Sequence, residues 1–129
     1  MMLLLDTHIF LWWLADDRRL TSRLRARIGA TNSEVFVSAV SIWEMAIKIA
    51  MGKLDLPGTD PAALDALIPA CGFRELTVTA SHATAVATLP RLHADPFDRL
   101  LVAQARAERA ALVSCDPALV AYGVPILAR

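Results

Sequence analysis

Short apolar runs that alternate with helix-start signals constrain this chain more than any other feature of its sequence. Apolar runs without polar alternation are typical of strands buried on both faces of a parallel sheet. When helical patterns separate such strands, the favoured architecture is a parallel sheet with helices on both sides. The pattern predicts an α/β fold with four to five strands, at Leu3–Leu5, Val35–Val37, Leu76–Val78, Ala111–Ser114 and Val124–Leu127.

Capping residues and helix breakers locate the helices between these strands. Thr7 and Thr79 are suited to cap the helices that follow the first and third strands, and Thr21 or Ser22 caps another. Asp95 followed by Pro96 is a strong signal for the start of a long helix. Six helices are predicted, over residues 7–15, 22–29, 39–51, 62–70, 79–88 and 96–109.

Composition limits the class of protein. With 129 residues, we expect a single domain over residues 1–129. A hydrophobic content of 56% and a charged content of 20% exclude a disordered chain. Because 13 Lys and Arg balance 13 Asp and Glu, any contact with nucleic acid must come from a local patch. Cys71 and Cys115 do not form a Cys-x-x-Cys pair, and we expect both to be buried in a reducing compartment.

The sequence gives no sign of targeting or membrane insertion. Met1–Leu5 lacks the basic region of a signal peptide, and the longest apolar run, Ile9–Ala15, is too short to span a bilayer. We therefore expect a soluble cytoplasmic protein with no membrane partner.

Four acidic residues follow predicted strands or lie early in the helices after them. Ligands of parallel sheets bind at the carboxyl ends of the strands, so four acids from separate segments are expected to meet there. Two carboxylates about 4 Å apart repel by about 4 kcal/mol at an effective dielectric of 20, so a cation is needed to hold such a cluster. Oxygen ligands select Mg²⁺ or Mn²⁺ over zinc and point to phosphodiester chemistry. The four acids are Asp6, Glu44, Asp98 and Asp116.

Helix capping is the alternative explanation for most of these acids. Asp95 and Asp98 fit the N-cap and third positions of one helix, and Asp116 fits a cap before a proline. Glu44 fits a capping box that begins at Ser41.

Two of the acids have further local relationships. Glu44 is spaced to pair with Lys48 one turn later in the helix. Asp6 has the weakest capping explanation, because Thr7 can perform that duty. His8 and His93 are expected near the mouth of the site, and His82 on a helix surface.

The acids lie within stretches that resemble those of PIN-domain ribonucleases, specifically VapC-like toxins of type II toxin–antitoxin pairs. The resemblance covers essentially the whole chain and keeps the order of the family's motifs. The matching stretches are Leu3–His8, Val37–Glu44, His93–Ala103 and Leu112–Pro117.

The resemblance implies a three-layer α/β/α sandwich and a carboxylate metal site. Asp6, Asp98 and Asp116 would hold one or two Mg²⁺ or Mn²⁺ ions, with Glu44 as a further ligand or as the base for the attacking water. The position of Ser114 corresponds to an auxiliary hydroxyl. Asp95 either contacts metal-bound water or only caps its helix. The family likeness further implies an RNA substrate, a homodimer and a cognate antitoxin.

Two surface features are candidates for contacts with RNA or antitoxin. Arg23 and Arg27 lie on one basic helix, which is alternatively an ordinary solvated helix. The first helix is apolar on every side, so Trp12 and Trp13 are expected to meet a second subunit or the antitoxin, unless they belong to the core.

Two rival functions stay open at this point. A phosphomonoesterase of the haloacid-dehalogenase type also has an Asp after its first strand, but it needs a second Asp where this chain has His8. A non-catalytic PIN-like interaction module would leave the four acids without a purpose.

Overall fold

A parallel sheet organises the chain in the computed structural model, which describes residues 2–30, 32–123 and 126–127. Within those residues the five strands are Met2–Leu5 (β1), Glu34–Ser38 (β2), Arg74–Leu76 (β3), Ala111–Val113 (β4) and Ile126–Leu127 (β5). Their spatial order is β3-β2-β1-β4-β5, and every neighbouring pair is parallel. The predicted parallel sheet is therefore confirmed.

Helices fill the connections between the strands. The α-helices are Thr7–Ala15 (α1), Ser22–Ile28 (α2), Ala39–Ala50 (α3), Leu67–Ala70 (α4), Ala80–Ala85 (α5) and Pro96–Glu108 (α6). Three short 3₁₀ helices in the described residues span Pro61–Ala66, Val86–Thr88 and Pro117–Tyr122.

The two faces of the sheet each carry a hydrophobic core, because successive side chains of a strand point to opposite sides. Leu3 and Leu5 of β1 pack in one core with residues of α1 and α2, including Phe10 and Leu24. Leu4 packs in the other core with residues of α6 and β4. This arrangement is the three-layer α/β/α sandwich that the sequence predicts.

The third strand differs from its predicted position of residues 76–78. The strand is Arg74–Leu76, and Val78 is 39% exposed. The pairing ends where Leu76 meets Ser38, because Ser38 is the last residue of β2 and already caps α3. Apolarity alone cannot reveal where a partner strand stops. For the fifth strand, Val124 and Pro125 lie outside the described residues, and Ile126–Leu127 pairs with β4.

Two predicted helices are interrupted. The segment predicted as one helix over 62–70 is a 3₁₀ helix followed by α4, with a non-helical backbone at Ala63. The segment over 79–88 is α5 followed by a 3₁₀ turn.

His82, predicted on a helix surface, is buried instead. Its side chain closes the capping box of α5, and its Nε2 lies 3.0 Å from Glu108 Oε2.

Candidate active site

The candidate site lies where the strand order of the sheet reverses. From β1, the chain continues to β2 on one side, and the later strand β4 lies on the other. The backbone N–H of Asp6 donates to Val113 O at 3.0 Å, which places the end of β1 beside the end of β4. This reversal point at the carboxyl edge is the usual ligand position in open α/β sheets.

Asp6 is buried and caps the first helix. Its carboxylate accepts a hydrogen bond from Ile9 N–H at 2.8 Å, and its exposed fraction is only 4%. The sequence predicts Thr7 for this capping role, and that prediction is wrong because the Thr7 hydroxyl is engaged elsewhere. Burial raises the pKa of Asp6, while hydrogen bonds from Ser114 and Ile9 act in the opposite direction.

Glu44 is held by partners on both of its carboxylate oxygens. The Thr7 hydroxyl donates to Oε1 at 2.7 Å, and Lys48 Nζ lies 2.7 Å from Oε2. The predicted pairing with Lys48 is thus confirmed. The predicted capping box is wrong, because Ser38 caps α3 and the buried Ser41 hydroxyl lies 2.9 Å from that of Thr7. Glu44 is only 3% exposed, so these contacts satisfy a buried charge.

Asp95 has the predicted N-cap role in α6. Its carboxylate accepts hydrogen bonds from the N–H groups of Phe97 and Asp98, at 2.8 and 3.3 Å.

Asp98 lies in the first turn of the same helix. Burial, followed by repulsion from Asp95 and Asp6, raises the pKa of Asp98 to about 7, although attraction to His93 opposes the shift.

His93 joins Asp98 to Asp116. Its Nε2 lies 3.1 Å from Asp98 Oδ2 and 3.0 Å from Asp116 Oδ2. Potential ligand atoms of these three residues all lie within 4.8 Å of one another. In the described part of the chain, no other group of three or more His, Cys, Asp or Glu residues is as close together.

Asp116 and Ser114 occupy the segment after β4. Asp116 caps its 3₁₀ helix by accepting from Ala118 N–H at 2.9 Å. Partial desolvation raises the pKa of Asp116, but hydrogen bonds from Ala118 and His93 outweigh it, so the net pKa is lowered. Ser114 is fully buried, and its hydroxyl accepts from Asp116 N–H at 3.1 Å.

At this edge of the sheet, the four predicted acids take part in two kinds of interaction. Asp98 and Asp116 converge on a single imidazole, whereas Asp6 and Glu44 act on Asp98 through electrostatic repulsion. Asp95 lies beside Asp98 and is occupied as a cap.

Arg99 is a residue near the site that the sequence gives no reason to select. Its guanidinium donates to the carbonyl oxygens of Pro90, Val86 and Leu89 and to the Tyr122 hydroxyl, at 2.9 to 3.5 Å. These acceptors are spread along the chain, so no spacing rule could reveal them. The contacts fasten the segment before His93 to α6.

The candidate surface residues lie on α1 and α2. Trp12 and Trp13 are half-buried and contact the core, and Arg23 and Arg27 are exposed. Trp12 lies under the Arg19 guanidinium, with 5.0 Å between that group and the ring centroid. Trp13 packs against Phe73 at a centroid distance of 5.3 Å and lies under Arg25. Neighbouring side chains of the same chain thus cover part of both indole rings.

The fold and this cluster define an α/β protein with a carboxylate site at the carboxyl edge of a parallel sheet. The family model that describes the PIN domain matches residues 3–124, and the chain belongs to the PIN-domain family. No curated protein has significant sequence similarity to the chain.

Solved structures share the fold at low sequence identity. A chain of VapBC2 from Rickettsia felis, bound to a DNA fragment from its promoter, superposes with a TM-score of 0.76 and 13% identity, over 100% of this chain and 99% of that one. VapBC-1 from nontypeable Haemophilus influenzae gives 0.68 and 17%, over 99% and 98%. A toxin–antitoxin complex from Klebsiella pneumoniae gives 0.62 and 16%, over 96% and 94%.

Proposed function

We propose that this PIN-domain protein, as a single domain over residues 1–129, is a metal-dependent endoribonuclease and the toxin of a toxin–antitoxin pair. The observation that carries the proposal is the convergence of Asp98 and Asp116 on one point at the carboxyl edge of the sheet, with Asp6 and Glu44 acting on Asp98. The caps of unrelated helices have no reason to converge, and a cation would relieve the repulsion between carboxylates that do.

The donor set fits Mg²⁺ or Mn²⁺. The acidic groups offer oxygen atoms, which hard cations prefer, and no pair of thiolates lies among them. Burial is the main cause of the raised pKa of Asp98, and repulsion from Asp95 and Asp6 adds to it, so a cation at this edge would favour the ionised carboxylate. Asp6, Asp98 and Asp116 would hold the ion, which supplies Lewis-acid polarisation of a phosphate oxygen.

The remaining residues would position the reacting groups. Glu44, anchored by Thr7 and Lys48, acts as a further ligand or as the base that accepts a proton from the attacking water. Ser114 holds the backbone of Asp116, and Asp95 fixes the start of the helix that carries Asp98. Water would attack the scissile RNA phosphate in line with the leaving oxygen.

The proposed partners are a cognate antitoxin and a second copy of the chain. The similar fold of a toxin–antitoxin complex from Klebsiella pneumoniae supports an antitoxin partner. No helix among the described residues has the length and apolarity needed to cross a bilayer, and we propose a cytoplasmic location. Trp12, Trp13, Arg23 and Arg27 are the proposed contacts with antitoxin or RNA.

A metal-titrated assay on two substrates tests the proposal. The purified chain is incubated with a labelled single-stranded RNA or with a phosphomonoester, while Mg²⁺ or Mn²⁺ is increased. We expect cleavage of RNA only, in proportion to metal occupancy. Hydrolysis of the phosphomonoester without RNA cleavage would favour the phosphatase alternative, and inactivity on both at saturating metal would favour an interaction module. A small antitoxin-like reading frame directly upstream of the gene would support the toxin role.

A further inference from the structure

His93 occupies the point at which Asp98 and Asp116 converge. One nitrogen, Nε2, is within 3.1 Å of a carboxylate oxygen of each residue. A cation held by both carboxylates would need the same region. The position of this ring therefore affects how a metal ion can enter the site.

The other ring nitrogen shows which atom carries the hydrogen. The backbone N–H of Asp95 lies 3.2 Å from His93 Nδ1 and donates to it. A nitrogen that accepts an N–H bond has no hydrogen of its own, so in the neutral ring the hydrogen is on Nε2. Nε2–H is then a donor shared by the two carboxylates, and it has no lone pair for a metal.

We propose that the Nε2–H group of His93 occupies the cation position in the metal-free chain. A metal ion must displace this group to bind Asp98 and Asp116, and His93 is not itself a metal ligand. This inference rests on the proposed metal-dependent function. Serving as a ligand through Nε2 would require the hydrogen to move to Nδ1, where it would face the N–H of Asp95. In the metal-free chain, the Nε2–H bonds offset part of the repulsion between the two carboxylates.

The surroundings leave room for the ring to move away. A cavity of about 450 Å³ adjoins His93 and is lined by Arg91, Leu92, Ala94 and Arg99 as well. The segment is fastened at each end, by Arg99 on Pro90 O and by the Asp95 cap on α6. A rotation of the His93 side chain can therefore release the carboxylates while the backbone stays attached.

Binding of Mn²⁺ to the parent chain and to His93→Ala tests this inference. Free Mn²⁺ is measured by electron paramagnetic resonance, and melts in EDTA verify folding. We expect the Mn²⁺ Kd of His93→Ala to fall by about tenfold, because the metal no longer competes with a hydrogen bond to charged groups. His8→Ala, which removes an exposed histidine near the site, serves as the control and should stay within about twofold of the parent.

The opposite outcomes overturn the inference in distinguishable ways. A weaker Kd in His93→Ala would make His93 a ligand, and an unchanged Kd would mean that the ring does not compete. If neither protein binds Mn²⁺, both the proposed metal dependence and this inference fail.

A measurement on the parent chain avoids any effect of the substitution on folding. Long-range ¹H–¹⁵N spectra report which ring nitrogen of His93 carries the hydrogen. We expect the hydrogen on Nε2 in EDTA, and a change in the ring shifts at saturating Mg²⁺ as the ring leaves the carboxylates. A hydrogen on Nδ1 in EDTA would overturn the inference, as would ring resonances that Mg²⁺ leaves unchanged.

Discussion

The hydroxyl of Thr7 donates a hydrogen bond to Oε1 of Glu44 at 2.7 Å, across 37 residues of sequence. This bond joins the start of α1, directly after Asp6, to the middle of α3. Because both residues are buried, water cannot replace the donor to Oε1 of Glu44, whereas the Thr7 hydroxyl also lies 2.9 Å from the buried hydroxyl of Ser41. The bond also explains why Asp6, and not Thr7, caps α1.

Replacing Thr7 with Val should destabilise the metal-free protein by about 1–3 kcal/mol, because one oxygen of the buried Glu44 loses its donor. The measurement is urea unfolding in EDTA. Thr84→Val, at an exposed position of α5, is the matched control and should change the free energy of unfolding by less than about 0.5 kcal/mol. Equal effects of the two substitutions would mean that the Thr7–Glu44 bond contributes nothing specific.

The raised pKa of Asp98 should make the stability of the metal-free protein depend on pH. Its pKa is about 7 in the folded chain, against an ordinary value of 3.8, so the folded state holds a proton that the unfolded state has released. This contribution to stability is complete below about pH 4 and is lost as the pH rises through about 7. In EDTA, the parent chain should therefore lose stability between these two values.

Asp98→Asn removes the ionisable group and its repulsion. At pH 8 in EDTA the variant should be at least as stable as the parent, and its stabilisation by Mg²⁺ should be smaller, since ligand binding adds RT ln(1 + [L]/Kd). Thermal melts with and without Mg²⁺ measure both effects, with the exposed Asp55→Asn as control. If Asp98 were only a favourable charge at a helix start, the variant would lose about 0.3–1 kcal/mol and respond to Mg²⁺ as the parent does.

Arg99→Lys should lower the free energy of unfolding by about 1–3 kcal/mol, because a single ammonium cannot reach the four acceptors that the guanidinium joins. Urea unfolding measures the change. Arg91→Lys, at an exposed position on the same cavity, is the control and should be nearly neutral. A neutral Arg99→Lys would show that the segment before His93 does not need this attachment.

Trp12→Glu tests the proposed partner surface on α1. Placing a charge on this half-buried aromatic position should weaken self-association or antitoxin binding by about thirtyfold, as expected for an aromatic hot spot. Light scattering and binding to the protein encoded directly upstream measure the two interactions. Trp12→Phe should remain close to the parent. A folded Trp12→Glu variant that dimerises and binds antitoxin normally would remove Trp12 from both interfaces.

Local signals predicted the elements whose ends depend on neighbouring residues. Asp95 with Pro96 fixed the start of α6, and Thr21 caps α2 as expected, because these bonds reach only two or three residues along the chain. The continuous apolar run in β1 predicted a strand buried on both faces, because an exposed face would carry alternating polar residues.

Contacts between distant segments account for what the sequence could not show. The choice between Asp6 and Thr7 as a cap depends on Glu44, and the end of β3 depends on where β2 stops. Four acids at strand ends could be recognised, but the bridging position of His93 depends on a loop whose course no periodicity encodes.

The most direct test of the central claim is cleavage of a labelled RNA by the parent chain and by Asp6→Asn, each with Mg²⁺ and with excess EDTA. We predict cleavage by the parent in Mg²⁺ alone and a loss of at least about a hundredfold in Asp6→Asn, since one of the three proposed ligand carboxylates is gone. Cleavage that persists in EDTA, or an Asp6→Asn variant as active as the parent, would contradict a carboxylate-held metal as the basis of the activity.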